Sequence, residues 1–219
     1  MSSRQAASPI EMFLPRETIE LIKEYGAGFP HDLAFEQEMT IVFSDMRGFT
    51  QLAEQFDPRE VYDAINASIA IQVSSIHAHG GSVNKFLGDG LLALFSGENK
   101  SERALASVAE LLHLLPEHEG EFLPCRVGFG INSGKVLLGM LGNESRWEYT
   151  VVGDAANTAA RLCGIANPFQ ALLTQSVVAD ISTVCQQRSC SFLRSQMFKG
   201  KSRAVDIYQL RTEGLYPPD

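Results

Sequence analysis

Residues 82–95 read SVNKFLGDGLLALF. Two apolar runs flank Gly88-Asp89-Gly90, and Asp-Gly at such a place is a preferred tight turn, so the stretch predicts a β-hairpin. Helical periodicity lies on both sides of it. Upstream, FDPRE opens a helix with Asp57 as N-cap, Pro58 at the first helical position and Glu60 reaching back. Val61, Ile65, Ile69 and Val73 form its expected stripe, and Gly80-Gly81 end it. Downstream, a second amphipathic helix is expected from about Ser101 to Leu115, with Leu105, Val108, Leu112 and Leu115. Ahead of these, residues 39–45 read as a strand whose apolar run Ile41–Phe43 stops at Asp45. Beyond them, RVGFGIN and VLLGML around Ser133-Gly134 predict another hairpin. A helix follows VVGDAAN, and the last 45 residues hold two or three short strands and a small helix. Strand, helix, hairpin, helix, strand is the order of an α+β fold: an antiparallel-leaning sheet with helices on one face.

The remaining N-terminal sequence divides into a polar tail (1 to about 10), a short helix over 13–25 that ends at Gly26 and Gly28, and a linker over 29–37. The expected division is therefore 1–37 for tail, helix and linker, 38–212 for the main domain and 213–219 for a C-terminal tail. The chain has 219 residues, 45% apolar and 20% charged, ordinary for one globular core. A net charge of −8 argues against a nucleic-acid surface, which needs clustered Lys and Arg. No apolar run approaches the ~20 residues of a membrane helix, and the N-terminus lacks the apolar segment of a signal peptide. Cys125, Cys163, Cys185 and Cys190 form no CxxC pair and read as free thiols in a reducing cytoplasm. The five histidines read as surface or helix-end residues.

Asp45 at a strand end and Asp89 at a hairpin tip meet at one sheet edge if the two strands of a strand–helix–strand crossover lie side by side. Two carboxylates and a backbone carbonyl suit a Mg²⁺ pair whose other ligands are phosphate oxygens. Each acid has a plainer reading too: Asp89 as a turn residue, Asp45 as a cap. Asn157 and Arg161 stand four apart on one face of a helix beginning near Asp154, which alone is also what a solvated polar stripe looks like.

Taken together, the segments resemble the class III nucleotide cyclases, the catalytic domains of adenylate and guanylate cyclases. The match runs from about Met39 to Leu210. VFSDMRGFT resembles the first metal motif and NKFLGDGLLALF the second, with its base-reading residue. FGINSGKVLLGMLG resembles the hairpin that follows, YTVVGDAANTAARL the transition-state motif, and FKGKSRAVDIYQL the terminal strand with its phosphate lysine. Five motifs in order make the resemblance specific. It implies a ferredoxin-like α+β core and a head-to-tail homodimer with active sites between the copies. Asp45 and Asp89 would hold two Mg²⁺ or Mn²⁺ ions with the carbonyl of Met46 assisting. Lys85 and Thr150 would read the base, Asn157 would orient the ribose, Arg161 would stabilise the transferred phosphoryl group, and Lys199 would hold the terminal phosphates. RGFT, with Phe49 and Thr50, would turn backbone N–H groups at a helix start toward phosphates.

The implied reaction converts ATP to 3′,5′-cyclic AMP and pyrophosphate. Lysine only donates hydrogen bonds; adenine N1 accepts one, whereas guanine N1 donates, so Lys85 favours ATP. Alternation along the strand places Val83, Lys85 and Leu87 on one face, where burial is expected. Thr150 resembles a bacterial subgroup that often responds to bicarbonate, and FLPRETIEL resembles the lead-in of multidomain regulators, so the chain is expected to be either the catalytic part of a longer protein with an upstream sensor or a stand-alone enzyme. Met140 and Asn132 depart from the family's more common residues. The alternatives are a guanylate or mixed-specificity cyclase, and a non-catalytic nucleotide-binding dimerisation module.

Overall fold

The computed structural model describes residues 14–26, 33–118, 123–143, 145–183 and 189–211. The polar tail, residues 29–32 of the linker, the C-terminal tail and Cys185 lie outside the described residues. Helix α1 (Arg16–Tyr25) is followed by strand β1 (Ala34–Met46), the short helix α2 (Phe49–Gln55) and the long helix α3 (Pro58–Ala78). The hairpin β2 (Ser82–Leu87) and β3 (Gly90–Phe95) leads to α4 (Lys100–Glu117) and β4 (Val127–Asn143). Then come β5 (Arg146–Val152), α5 (Asp154–Ile165), β6 (Ala171–Thr174), α6 (Gln175–Ala179), β7 (Cys190–Gln196) and β8 (Val205–Leu210). The described residues form one mixed sheet in the order β2-β3-β1-β4-β6-β8-β7, with β5 paired to β4. This is the expected α+β class, and no described helix is long and apolar enough to cross a membrane.

The cap that starts α3 forms as its sequence dictates: the Asp57 carboxylate accepts from the Arg59 N–H, and Glu60 accepts from the Asp57 N–H. The expected stripe is displaced. The buried face is Val61, Ala64, Ser68, Gln72, Ser75 and Ile76, while Ile65, Ile69 and Val73 are half-buried at its margin. A repeat of four drifts about 40° per step around a 3.6-residue helix, so three steps carry it off the contact line. Small polar residues fill that line instead, and Ser75 Oγ donates to Glu110 on α4 at 2.5 Å.

Helices cover both faces of the sheet, not one. On one face Val42, Leu91, Phe95, Phe129 and Ile131 pack with Ile76 of α3 and Leu105 and Val108 of α4. On the other, Met39, Ile41, Leu92, Leu94 and Leu138 pack with Ala155, Ala156 and Ala159 of α5. Consecutive Ile41 and Val42 are 0% and 2% exposed, so β1 is buried on both sides. A continuous apolar run, as opposed to alternation, is the signature of such a strand.

The hairpin expected at Ser133-Gly134 does not form. β4 runs unbroken through both residues, paired antiparallel with β1 from Ala34↔Gly139 to Met46↔Val127. This long-range partner fixes an extended backbone across a Ser-Gly that would otherwise turn. The tight connection lies further on, where β4 pairs with β5 from Leu137↔Val152 to Asn143↔Arg146. The first strand also begins earlier than expected, at Ala34, inside the anticipated linker.

Candidate active site

Asp45 is the penultimate residue of β1, and Asp89 sits in the β2–β3 turn. The structure brings them together by a route other than the expected parallel neighbour. β2 lies outside, and β3 inserts antiparallel beside β1, with Ser44 opposite Leu91. The turn that opens β3 is thereby laid against the end of β1. Gly90 permits the approach: a Cβ there would stand 2.0 Å from the Ser44 carbonyl oxygen. The Met46 N–H then donates to Asp89 Oδ2 at 3.2 Å. We expect Gly90→Ala to push the turn away from β1, costing about 1–3 kcal/mol in a denaturant melt and lowering any metal-dependent activity further than the melt explains.

Burial raises the Asp89 carboxyl above its ordinary value, and the neighbouring Asp45 charge adds to this. The Asp89 and Met46 backbone groups and Arg47 pull in the opposite direction without cancelling it. Two neighbouring carboxylates, with oxygen as the donor atom, fit a hard divalent cation such as Mg²⁺ or Mn²⁺. Among the described residues no group of three or more His, Cys, Asp or Glu converges, so carbonyl, water or substrate oxygens would complete the coordination. Phe49 and Thr50 begin α2 directly after this edge, Phe49 half-buried and Thr50 exposed.

A second cluster forms between β2 and β5. Lys85 Nζ donates to Thr150 Oγ1 at 2.7 Å and ion-pairs with Glu148. The expected common face of Val83, Lys85 and Leu87 is broken by a bulge at Asn84: Val83 lies opposite Ala93, and Lys85 opposite Leu92. Ala93 and Leu92 belong to opposite faces of the sheet, so Lys85 leaves the face of Val83. Asn84 is itself buried and donates to the Tyr149 carbonyl at 3.2 Å, which holds the bulge against β5. Glu148 escaped the sequence reading. The signal for it was alternation, since it lies two residues from Thr150 on the same strand face.

A third group surrounds α5. Its N-cap is Gly153; Asp154 is the first helical residue and binds Lys201 Nζ. Asn157 is exposed and Arg161 half-buried one turn later. The Arg161 guanidinium lies against the Lys199–Gly200 turn, with Nη2 3.9 Å from where a Gly200 Cβ would be, and Lys199 is exposed there. Lys85 and Thr150 bond to each other and to neither acid. A cavity of about 450 Å³ beside α5, lined by Asn132, Lys135, Asp154, Thr158, Gln175 and Lys201 among others, contains none of Asp45, Asp89, Lys85 or Arg161. Those side chains are partly exposed on the single chain.

The two departures from the family pattern are structural. Asn132 is buried, donates to the Ala155 carbonyl and accepts from Thr174 and Ser176, tying β4 to α5 and β6. Met140 packs at the edge of the α5-side core. Cys125, Cys163 and Cys190 are free thiols, and burial pushes Cys125 up to about 11 and Cys163 up to about 12.

Residues 33–212 match the family model described as the adenylate and guanylate cyclase catalytic domain. The terminal-differentiation-specific adenylate cyclase of Dictyostelium discoideum is 32% identical over 212 residues, covering 93% of this chain and 10% of that protein. An adenylate cyclase of Anabaena cylindrica is 32% identical over 222 residues, covering 95% of this chain and 44% of that protein. The chain thus spans a tenth and less than half of these two relatives. Among solved structures, the guanylyl cyclase Cya2 superposes with a TM-score of 0.73 at 29% identity, over 81% of this chain and 93% of that one. The adenylyl cyclase CyaB from P. aeruginosa superposes with a TM-score of 0.74 at 25% identity, over 82% and 96%. With the acid pair, the lysine–threonine pair and the α5 residues all within the matched residues 33–212, the chain belongs to the adenylate and guanylate cyclase catalytic domain family.

Proposed function

We propose that the chain is an adenylate cyclase, converting ATP to 3′,5′-cyclic AMP and pyrophosphate in sites shared between two copies. The observation that carries the choice of base is the Lys85–Thr150 hydrogen bond. The ammonium donates to Thr150 and to Glu148 and keeps one donor for adenine N1, while the threonine hydroxyl retains a lone pair for the adenine 6-amino group. Asp45 and Asp89, with the Met46 carbonyl, would hold two Mg²⁺ or Mn²⁺ ions. When bound, the ions supply activation of the ribose 3′-hydroxyl and neutralisation of the triphosphate. Asn157 orients the ribose, and Lys199 takes the terminal phosphates. Arg161 presents a permanently charged planar donor to the oxygens of the α-phosphorus, where charge builds.

Sharing between copies is supported by what surrounds these groups. Phe86 and Leu87 beside the acid turn, and Leu137, Leu141 and Val152 on the β4–β5 arm, are exposed large apolar side chains. Apolar surface of this kind marks contact sites. A cytoplasmic location agrees with the free thiols. Bicarbonate activation and an upstream sensor rest on the resemblance alone.

Glu148 favours a second reading. Its carboxylate, already at Lys85, accepts hydrogen bonds and would suit the N1–H and 2-amino groups of guanine. Product formation from ATP and from GTP with Mn²⁺, measured against protein concentration, decides between the two; GTP preference would defeat the lysine assignment. Lys85→Glu is expected to lower kcat/KM for ATP by about 100-fold, because a half-buried donor is replaced by an acceptor facing N1. Unchanged ATP kinetics in that variant would count against the role.

A further inference from the structure

Arg47 follows the acid strand and belongs to none of the roles above. Its side chain is 19% exposed. Nη2 donates to the Cys163 carbonyl at 2.7 Å and lies 3.3 Å from Asp45 Oδ2, while Nε is buried without a partner. β4 admits the guanidinium by having glycine at 128, where a Cβ would stand 2.8 Å from Nε. Cys163 lies in the last turn of α5, at the negative end of the helix dipole, and its carbonyl also accepts from the Ala166 N–H at 3.1 Å. Arg47 is therefore anchored on the helix end and reaches the acid with the same nitrogen.

The two contacts differ in quality. The carbonyl bond is short. The ion pair is longer, uses one nitrogen instead of a bidentate fork, and is made to a half-exposed carboxylate. Asp89 has no ion pair among the described residues, so Arg47 is the charge that balances one member of the acid pair.

We propose that Arg47 is a positioning residue that serves as the resident counter-ion of Asp45, yielding the carboxylate to an incoming divalent cation while keeping its bond to α5. This rests on the reading of Asp45 and Asp89 as cation ligands. Its consequence is a loading threshold. A bare cation must displace a fixed positive charge, whereas a cation carried on a triphosphate brings anionic oxygens that offset it. The site then fills with metal–nucleotide and stays largely metal-free without it.

Free Mn²⁺ measured by electron paramagnetic resonance tests this on the whole chain without nucleotide. Arg47→Gln keeps an amide donor for the Cys163 carbonyl and removes the charge; it is expected to bind Mn²⁺ about tenfold more tightly than wild type. Arg47→Lys is expected to retain the weak wild-type affinity. Equal affinity in wild type and Arg47→Gln, with binding abolished by Asp45→Ala, would overturn the counter-ion role alone. Equal affinity in wild type and Asp45→Ala would overturn the metal reading beneath it. An independent readout needs no variant: the arginine Nε–H signals of the wild-type chain in nuclear magnetic resonance. One of these should shift when Mg²⁺ is added together with a non-hydrolysable nucleoside triphosphate, as the ion pair is released, and stay in place with Mg²⁺ alone; signals that stay unmoved in both would overturn the proposal.

Discussion

Replacing Asp89 with asparagine should abolish cyclic nucleotide formation, by on the order of 10³-fold or more, and yet raise the thermal midpoint of the metal-free chain. Activity is lost because a neutral amide is a poor ligand for a hard cation, and the several kcal/mol that metals contribute to such a displacement go with it. The gain in stability has a separate origin. Burial and the adjacent Asp45 charge raise the Asp89 carboxyl above its ordinary value. A carboxyl that ionises less readily in the folded chain than in the unfolded one stabilises the fold while protonated. That contribution is complete below the unfolded-state value and is lost as pH rises through the folded-state value. At neutral pH the ionised Asp89 is thus a net cost to the fold, which the asparagine removes while still accepting the Met46 N–H. The two variants' melting curves should converge in acid. A melting midpoint for Asp89→Asn below wild type at neutral pH would show that the acid pair is not an uncompensated charge.

Arg161→Ala should lower kcat by about 10²–10³-fold and leave KM within a few-fold, as expected for a donor that engages charge present only in the transition state. The more decisive form of the experiment mixes two inactive proteins. Asp89→Asn retains Arg161, and Arg161→Ala retains both acids. If each site draws its acids from one copy and its arginine from the other, a mixed dimer holds one intact site and one doubly damaged site. With random pairing half of the dimers are mixed, and each carries one good site of two, so an equimolar mixture should recover about a quarter of wild-type activity. A mixture no more active than its components would remove the shared site from the account, although either variant alone had behaved as expected.

Local chemistry was the legible part of the sequence. The Asp57–Pro58–Glu60 cap and the Gly88-Asp89-Gly90 turn form as written, because each is decided within a few residues. Features decided by distant partners were not. Ser133-Gly134 reads as a turn until β1 is laid along it. The run Ile41–Phe43 reads as a buried strand, and Ile41 and Val42 are buried, but the element order alone puts helices on one face where the fold covers both. Lys85 was found as a motif position, whereas the face it occupies depends on a bulge that single-strand alternation does not reveal. Arg47 reads as an ordinary residue of a glycine turn; its significance comes from Cys163, 116 positions away.

The unbroken pairing of β1 with β4 has a mechanical meaning. β1 carries Asp45 at its end, β4 runs alongside it for thirteen consecutive pairs, and β4 continues directly into its ladder with the Thr150 strand. The Asp45 end of β1 and the strand that carries Thr150 are thus welded to a single stiff plank. A regulatory input has little purchase for bending that plank. In the proposed dimer it would act by swivelling one copy against the other, so an activator should change the angle between subunits and leave the internal distances of each subunit untouched.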